Sequence, residues 1–473
     1  MPWHPLKCLC GKFTLGQRYV LVIMMQLALL NAYHLRVVLN IAITEMIQDR
    51  NNVTSHACPN YIYEPIEEIH GGTFKWNHDL EAGILYAFFT SYFISHVPGG
   101  WLADKFGGRH VMGTCMVVSS VVSILTPLAI QYGSSWGAII LRIILGFAQG
   151  PMLPTISTFI QCWIPKHQRG FLGGIAFGGS NMGTVTGSIL TGMMITGTKS
   201  WVVPFYVWGI CSLVWCIFYY LHVFSRPVTH PFITEEEKNY LINEVEQKTK
   251  FKVPWKSICT SLPVWGLLAG QLSHNFIFFT LLTDLPKYLK EILKMNVKTN
   301  ATTTALPFLA LWLATIVFSY TEDFVTNRNW LSLLTARKLY TAFSCIVPSL
   351  FLVLMVYAGC NRLAAQLLVT VSFFLVGPFF SGMKVNVNDI TIHYGGTIMA
   401  IVNGLGSLTG IVGPYMVGAI AKNETLEEWR LCMWIILAVS IFLSVIYCLT
   451  AKAERQSWDY PEKEDENSKV GGT

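Results

Sequence analysis

The sequence predicts an all-α membrane protein: twelve transmembrane helices in two six-helix halves, with both termini cytoplasmic. Three observations predict it. The 473 residues are 52% hydrophobic and 13% charged. An ordinary globular domain is about 25% charged, so this chain has too little polar surface to coat a water-soluble body of its size. Apolar stretches recur near 18–46, 80–101, 110–131, 136–159, 171–195, 202–224, 259–283, 303–321, 337–358, 363–385, 394–420 and 430–450. Each is long enough for a bilayer-crossing helix, which needs ~20 residues, whereas a closed barrel would show much shorter alternating segments. The longest polar segment between stretches divides them six to six.

The expected organisation is therefore an N-terminal half at 1–224, a cytoplasmic central loop at 225–258, a C-terminal half at 259–452 and a cytoplasmic polar tail at 453–473. The first stretch is too long for a signal-peptide core and no small-residue cleavage site follows it, so it reads as an uncleaved first helix. With the N-terminus inside, the cytoplasmic segments hold about twice as many Lys and Arg as the outer ones, as the positive-inside rule expects. The three glycosylation sequons, Asn52-Val53-Thr54, Asn300-Ala301-Thr302 and Asn423-Glu424-Thr425, all fall in loops that this topology places outside. The net charge of +6 is no nucleic-acid signature. Most of the twelve cysteines sit in apolar stretches, as small buried residues do. Cys58 and Cys360 lie in or near outer loops, where a disulfide between them is one option. Cys8 and Cys10 are juxtamembrane, where palmitoylation is another.

In the central loop, Thr234 is placed to cap a short amphipathic helix with Glu237 three residues on. Glu237-Lys238-Asn239-Tyr240-Leu241-Ile242 also resembles an acidic dileucine sorting signal, but Leu241, Ile242 and Val245 equally fit one helical face packed on the membrane domain. A faint internal repeat relates Gly183-Thr184-Val185-Thr186-Gly187 to Gly406-Ser407-Leu408-Thr409-Gly410, and Gly150-Pro151 to Gly377-Pro378, as in transporters built from repeats. Gly174, Gly178, Gly179, Gly183 and Gly187 allow a neighbouring helix to approach closely, either for static packing or as a face along which helices slide.

Charges in apolar stretches are the strongest pointers to a site. At 1.5 Å per residue, Arg36 is roughly 25 Å from the inner start of the first helix, and Arg142 roughly 10 Å from the outer start of the fourth. Both land in the outer half of the bilayer, where a charge usually faces a cavity or a partner. The acids Glu45, Glu81, Asp284, Glu322, Asp323 and Asp389 all lie near stretch ends. Two cations without a mid-depth acid suggest that the substrate supplies the negative charge, which the planar fork of arginine can hold bidentately. Snorkelling to the interface is the bland alternative. His274 and Asn275 are further candidates for the same cavity. His34, two residues from Arg36, points elsewhere on a helix.

Residues 100–109 read Gly100-Trp101-Leu102-Ala103-Asp104-Lys105-Phe106-Gly107-Gly108-Arg109. The run resembles the loop between the second and third helices of the major facilitator superfamily, Gly-x-x-x-Asp-(Arg/Lys)-x-Gly-(Arg/Lys)-(Arg/Lys), departing only at Gly108. Asp104, Lys105 and Arg109 are the gating candidates. Asp104 would accept from Arg109 or from a neighbouring helix N-terminus. Further stretches, including Leu35-Arg36-Val37-Val38-Leu39-Asn40-Ile41-Ala42-Ile43, Val97-Pro98-Gly99-Gly100, Leu262-Pro263-Val264-Trp265, Thr280-Leu281-Leu282-Thr283-Asp284-Leu285-Pro286-Lys287 and Val412-Gly413-Pro414, resemble solute carrier family 17. That branch includes phosphate cotransporters, sialin and vesicular glutamate transporters, and the general appearance resembles its insect inorganic phosphate cotransporters.

The resemblance implies the major facilitator fold and an anion–cation symporter, with Arg36 and Arg142 binding the anion. Family members commonly have a proton-coupling glutamate seven residues after the second arginine. Here Gln149 stands there and cannot titrate. The glutamate transporters carry a histidine where this chain has Leu85 and an arginine where it has His274, both of which argue against vesicular glutamate transport. The expected function is secondary active transport of an inorganic or organic anion, phosphate or a carboxylate, coupled to sodium or protons. The alternative is a non-transporting anion-binding receptor or scaffold. Plasma membrane is the expected location, with lysosomal or vesicular membrane the other choice. A monomer in the lipid bilayer, with a small anionic substrate and neither cofactor nor nucleic acid, is expected. No His-Glu-x-x-His metal pair and no phosphate-cradling Gly-x-x-x-x-Gly-Lys-(Ser/Thr) loop occurs, so neither an enzyme nor an ATP-driven pump is expected.

Overall fold

The computed structural model describes residues 15–46, 74–76, 78–245, 253–294, 297–422 and 425–460. Asn52, Cys58, Asn423, Cys8 and Cys10 lie outside them, and so does the side chain of Asn300. The described chain is almost wholly α-helical, because an apolar segment in lipid must satisfy its own backbone. The helices are α1 Gln17–Met46, α2 His78–Phe106, α3 Gly108–Gln149, α4 Met152–Trp163, α5 Arg169–Thr198 and α6 Val203–His222. Two short helices follow, α7 Glu235–Glu244 and α8 Trp255–Cys259. Then come α9 Leu262–Glu291, α10 Val297–Asn327, α11 Leu333–Tyr357, α12 Arg362–Val376, α13 Met383–Asn386, α14 Gly395–Ser407, α15 Thr409–Ile420 and α16 Leu426–Thr450.

Local chemistry sets many of these boundaries. Ser332 caps α11 by accepting from Thr335 N at 3.2 Å, and Asn361 caps α12 from Ala364 N at 3.1 Å. Thr425 and Glu428 form a reciprocal capping box at the start of α16. The 42 residues of α3 are broken at Ser134, at φ 49° and ψ −134°, into two helical runs, matching the separate stretches 110–131 and 136–159. Gly150-Pro151 interrupts the next run before α4 continues it. Gly377-Pro378 does the same after α12, where a 3-10 turn leads to the single turn α13.

Among the described residues, eight helical segments are long and apolar enough to cross a membrane, one of them spanning all of 108–163. The long helices outside that set are α2, α5 and α9. They are the ones richest in glycine or in polar side chains, including His96, the α5 glycines and the run Gln271, Ser273, His274, Asn275.

Helix α5 lies between α1 and α10 and uses different glycines for each. A methyl group at Gly179 or Gly183 would collide with the α1 backbone at Gln26 or Leu30, while Gly174 faces Ser319 and Gly178 faces Thr315 of α10. One side of the glycine stripe is therefore tight static packing. The other side is tight as well at Gly174, where a methyl would collide with Ser319, and reaches ordinary contact distance only at Gly178, so the described stripe fits the static-packing reading.

The central segment folds back on the bundle. Thr234 accepts from Glu237 N at 3.2 Å and caps α7, but the Glu237 carboxylate accepts from Gln17 N at 2.7 Å and Arg18 N at 3.3 Å. It caps α1, whose N-terminal N–H groups otherwise have no helical partner, and so the reciprocal box expected with Thr234 gives way. Leu241 and Val245 are buried while Ile242 is exposed. The packing reading of this face holds, and the dileucine reading is corrected, because a buried Leu241 cannot present a sorting signal. The tail is also partly docked. Asp459 is buried and accepts from Thr391 Oγ1, Ile392 N, His393 N and Arg455 Nε at 2.6–3.1 Å.

A charge cluster absent from the sequence reading sits beside this region. Arg337 is 1% exposed. Its Nε donates to Asp389 Oδ2 at 2.8 Å and its NH1 to Glu322 Oε2 at 3.0 Å and to the Ser381 carbonyl. The acids that looked like ordinary helix-end charges are thus partly consumed here. Removing the cation leaves two buried carboxylates, at a cost of about 3–5 kcal/mol. Arg337→Met is expected to lower the thermal unfolding midpoint of the purified protein well below that of Arg337→Lys. Equal midpoints for wild type and Arg337→Met would rule out this role.

Candidate functional site: a cationic cluster between two sets of helices

Arg36 in α1 and Arg142 in α3 meet. Both are buried, at 8% and 4% exposure. Arg142 NH1 donates to the Arg36 carbonyl at 3.1 Å, and its NH2 donates to Asn40 Oδ1 at 3.0 Å. Arg36 Nε donates to Gln149 Oε1 at 3.2 Å, and Gln149 Nε2 donates onward to the Ala32 carbonyl at 3.0 Å. The Arg36 guanidinium is stacked among aromatic faces, 4.4 Å from Tyr33, 4.6 Å from Phe88 and 4.7 Å from Tyr92. Among the described residues neither arginine has an acidic partner within salt-bridge distance. Their contacts are neutral dipoles and ring faces, which soften the burial of a cation without neutralising it. The buried Nε of Arg142 has no hydrogen-bond partner among the described residues.

A further buried cation near this cluster was missed in the sequence. Lys384 of α13 is 4% exposed and donates to Asn403 Oδ1 at 2.7 Å. Asn403 Nδ2 lies 2.8 Å from His96 Nε2, and His96 Nδ1 lies 2.7 Å from the Tyr92 carbonyl. A carbonyl only accepts, so Nδ1 carries the proton, Nε2 accepts from Asn403, and the imidazole is neutral. Tyr92 completes the chain, its ring 4.2 Å from His96 and its face on Arg36. A continuous polar path thus runs from Lys384 of the second set of helices to Arg36 of the first.

The other candidates sort clearly. His274 lies flat on Phe379 at 3.7 Å. Asn275 accepts from Gln271 Nε2 at 2.6 Å. His274 is thus set against the segment that leads into α13, while Asn275 pairs within its own helix. His34 points away, onto Thr186 at 2.7 Å and over Trp208.

At one end of the bundle, Asp104 of α2 binds the start of α14. It accepts from Thr397 N at 2.7 Å, Thr397 Oγ1 at 2.8 Å, Gly396 N at 3.3 Å and Thr158 Oγ1 at 2.8 Å. A carboxylate is stabilised at a helix N-terminus by unpaired N–H groups and the helix dipole. Of the two arrangements expected for Asp104, this is the helix N-terminus. Arg109 donates instead to the Tyr220 carbonyl at 2.6 Å and covers Phe224, and Lys105 lies over Trp101. Lys105 and Arg109 therefore anchor the turn locally rather than bridging it to α14. Around Asp104 the contact continues. Gln161 bonds the Thr391 carbonyl and Gly395 N, Arg169 bonds the Asn388 carbonyl at 2.9 Å, and Asp323 of α10 caps α5 through Phe171 N at 2.7 Å.

Residues 13–414 match the family model of the Major Facilitator Superfamily. A "Putative inorganic phosphate cotransporter" of Drosophila ananassae is 31% identical over 94% of this chain and 94% of its own. Sialin of Homo sapiens is 32% identical over 93% of this chain and 90% of its own. The chain belongs to the major facilitator superfamily, in solute carrier family 17. Among solved structures, the proton:xylose symporter XylE bound to 6-bromo-6-deoxy-D-glucose superimposes with a TM-score of 0.67 at 14% identity, covering 93% of this chain and 97% of that one; at this identity the likeness concerns the fold alone. As a member of the superfamily this protein is an integral, multi-pass membrane transporter and not an enzyme.

The hydrogen bonds of Asp104 join α2 to α14 and must break if these helices part. Asp104→Asn weakens charge-assisted hydrogen bonds that contribute ~1.5–3 kcal/mol each. It is expected to change the uptake rate about tenfold while leaving the ranking of anions intact. A reordered anion preference, measured as relative kcat/KM, would count against a role confined to gating.

Proposed function

We propose that this protein is a secondary active transporter of a small anion, phosphate or a carboxylate, working by alternating access. The observation that carries the reading is the meeting of Arg36 and Arg142 with neutral partners only. Two buried guanidiniums on neighbouring helices without a carboxylate are unfavourable when empty and well suited to an anion. Gln149 sharpens the point. An acid there would neutralise Arg36, whereas the amide leaves its charge intact and carries no titratable proton. Coupling to protons through position 149 is thereby disfavoured. Sodium, which needs only carbonyl and hydroxyl oxygens, is the coupling ion this reading favours, with protons carried by another group as the alternative.

In this proposal the eight apolar segments, the division of the one at 108–163 into two crossings, and α2, α5 and α9 make up twelve crossings. The halves are 1–224 and 259–452, joined by a cytoplasmic loop at 225–258 and followed by a cytoplasmic tail at 453–473. The Asp104 latch is then cytoplasmic, and its closed form corresponds to access from outside. Asn52, Asn300 and Asn423 are proposed outer glycosylation sites on a monomer in the plasma membrane. The hydrogen-bonded latch between helices of opposite halves favours a moving carrier over a non-transporting receptor, which has no need for one.

The test is uptake into proteoliposomes of phosphate, sialate, urate and glutamate, with sodium and proton gradients imposed separately. Arg142→Ala is expected to abolish uptake, at least a hundredfold, while the protein still folds and inserts. Wild-type rates from Arg142→Ala would sink the proposed site.

A further inference from the structure

We propose that Lys384 is a third anion-binding group, supplied by the C-terminal half, and that it makes the site selective for anions carrying two negative charges. This rests on the reading of Arg36 and Arg142 as an anion site.

The observations begin with what Lys384 lacks. It is buried, and among the described residues its hydrogen bond is to the amide oxygen of Asn403, a neutral acceptor. The acids nearest in sequence do not serve it, because Asp389 is held by Arg337. The surroundings are otherwise neutral or aromatic. His96 is neutral by its hydrogen-bond pattern, His274 is stacked on Phe379 with its Nδ1 unpartnered, and Phe177 of α5 lies 6.0 Å from the ammonium. An uncompensated lysine in a membrane domain is costly, and a purely structural bridge between Asn403 and its neighbours needs no charge.

Position supplies the second argument. Lys384 is linked through Asn403, His96 and the Tyr92 ring to Arg36, so the lysine and arginine sides of the cluster are contiguous. In this proposal the two sets of helices together supply three cations to one site. A monoanion would leave two of them uncompensated, whereas a dianion leaves one. A dicarboxylate or hydrogen phosphate fits this balance, and the ammonium, a compact donor of three hydrogen bonds, can leave Asn403 for an anionic oxygen without moving the backbone.

The test compares dianions with a monoanion on the purified full chain. Succinate and inorganic phosphate are titrated against propionate, reading thermal stabilisation in detergent and competition for uptake in proteoliposomes. Wild type is expected to respond to a dianion at lower concentration than to propionate. Lys384→Met should weaken the dianion response about tenfold or more, the loss of one charge-assisted hydrogen bond, with propionate changed far less. Lys384→Arg should keep the dianion preference. If Lys384→Met does not fold, the arginine variant decides, since losing the preference with the charge retained overturns the proposal. Equal losses for dianion and monoanion would mark Lys384 as a structural bridge and overturn it too, as would a wild type that fails to distinguish the two classes. Arg142→Ala separates this proposal from the one beneath it. If that variant still responds as wild type, the anion site itself is misassigned. If it loses all response while Lys384→Met keeps the dianion preference, only the role of Lys384 falls.

Discussion

Everything distinctive about this protein follows from cations buried without acids. Arg36, Arg142 and Lys384 are each withdrawn from solvent, and each is bonded to carbonyls or amides. The contrast with Arg337 is instructive. That residue is buried at least as deeply, yet two carboxylates and a carbonyl satisfy it. The same fold therefore neutralises a buried cation where structure alone is at stake, and withholds neutralisation in the cluster that joins the two sets of helices. Coulomb energies are large at low dielectric, and the proposed anion site rests on this imbalance.

The closed end of the bundle is built on a different economy. Its contacts are mostly to backbone N–H groups and carbonyls at helix ends: Asp104 at the start of α14, Asp323 at the start of α5, Gln161 and Arg169 on the segment before α14. Helix termini present unpaired groups in any conformation, so such contacts can be released to water without stranding a buried charge. The glycines of α5 set packing distances. Gly179 and Gly183 lock α5 against the α1 backbone, while Gly178 leaves ordinary contact distance to α10. Glycine also brings the two sets close, at Gly100 against the Gly396 carbonyl of α14 and at Gly174 against Ser319 of α10.

How much of this was legible depended on whether burial follows from local pattern. The apolar stretches predicted most of the helices to within a few residues. Arg36 and Arg142 could be placed at similar depth by counting rise per residue, and the structure brings them together. Lys384 could not be found that way. It stands at the end of the stretch 363–385, where a lysine reads as an interfacial charge. It is buried because Gly377-Pro378 breaks the helix and the chain continues inside the bundle through α13. The signal available was the matching Gly150-Pro151 break, across which the fourth stretch also continues. Arg337 was overlooked for a similar reason, since a base in the first turns of a helix looks like a solvated end. Glu237 shows a different limit. Its capping role was visible, but the helix it caps lies more than two hundred residues away.

The latch and the cationic cluster are connected through one pair of helices. Asp104 and His96 both lie on α2, and their partners Thr397 and Asn403 both lie on α14. At 1.5 Å per residue the two levels are about 12 Å apart on α2 and about 9 Å apart on α14, so the two helices are joined by two rungs. The upper rung is Asn403, shared between His96 and Lys384. An anion that drew the ammonium away from Asn403 would remove one of that amide's two partners but leave the His96 contact, the one that joins α14 to α2. A ligand shifts a conformational equilibrium only by its difference in affinity between the states. Only the bond to His96 crosses from α14 to α2, so it is the one lost when these helices part, while the Lys384 bond stays within the second set. On the proposed reading, any coupling between the anion and the interface would run through Asn403, which touches the lysine of α13 and the histidine of α2 at once.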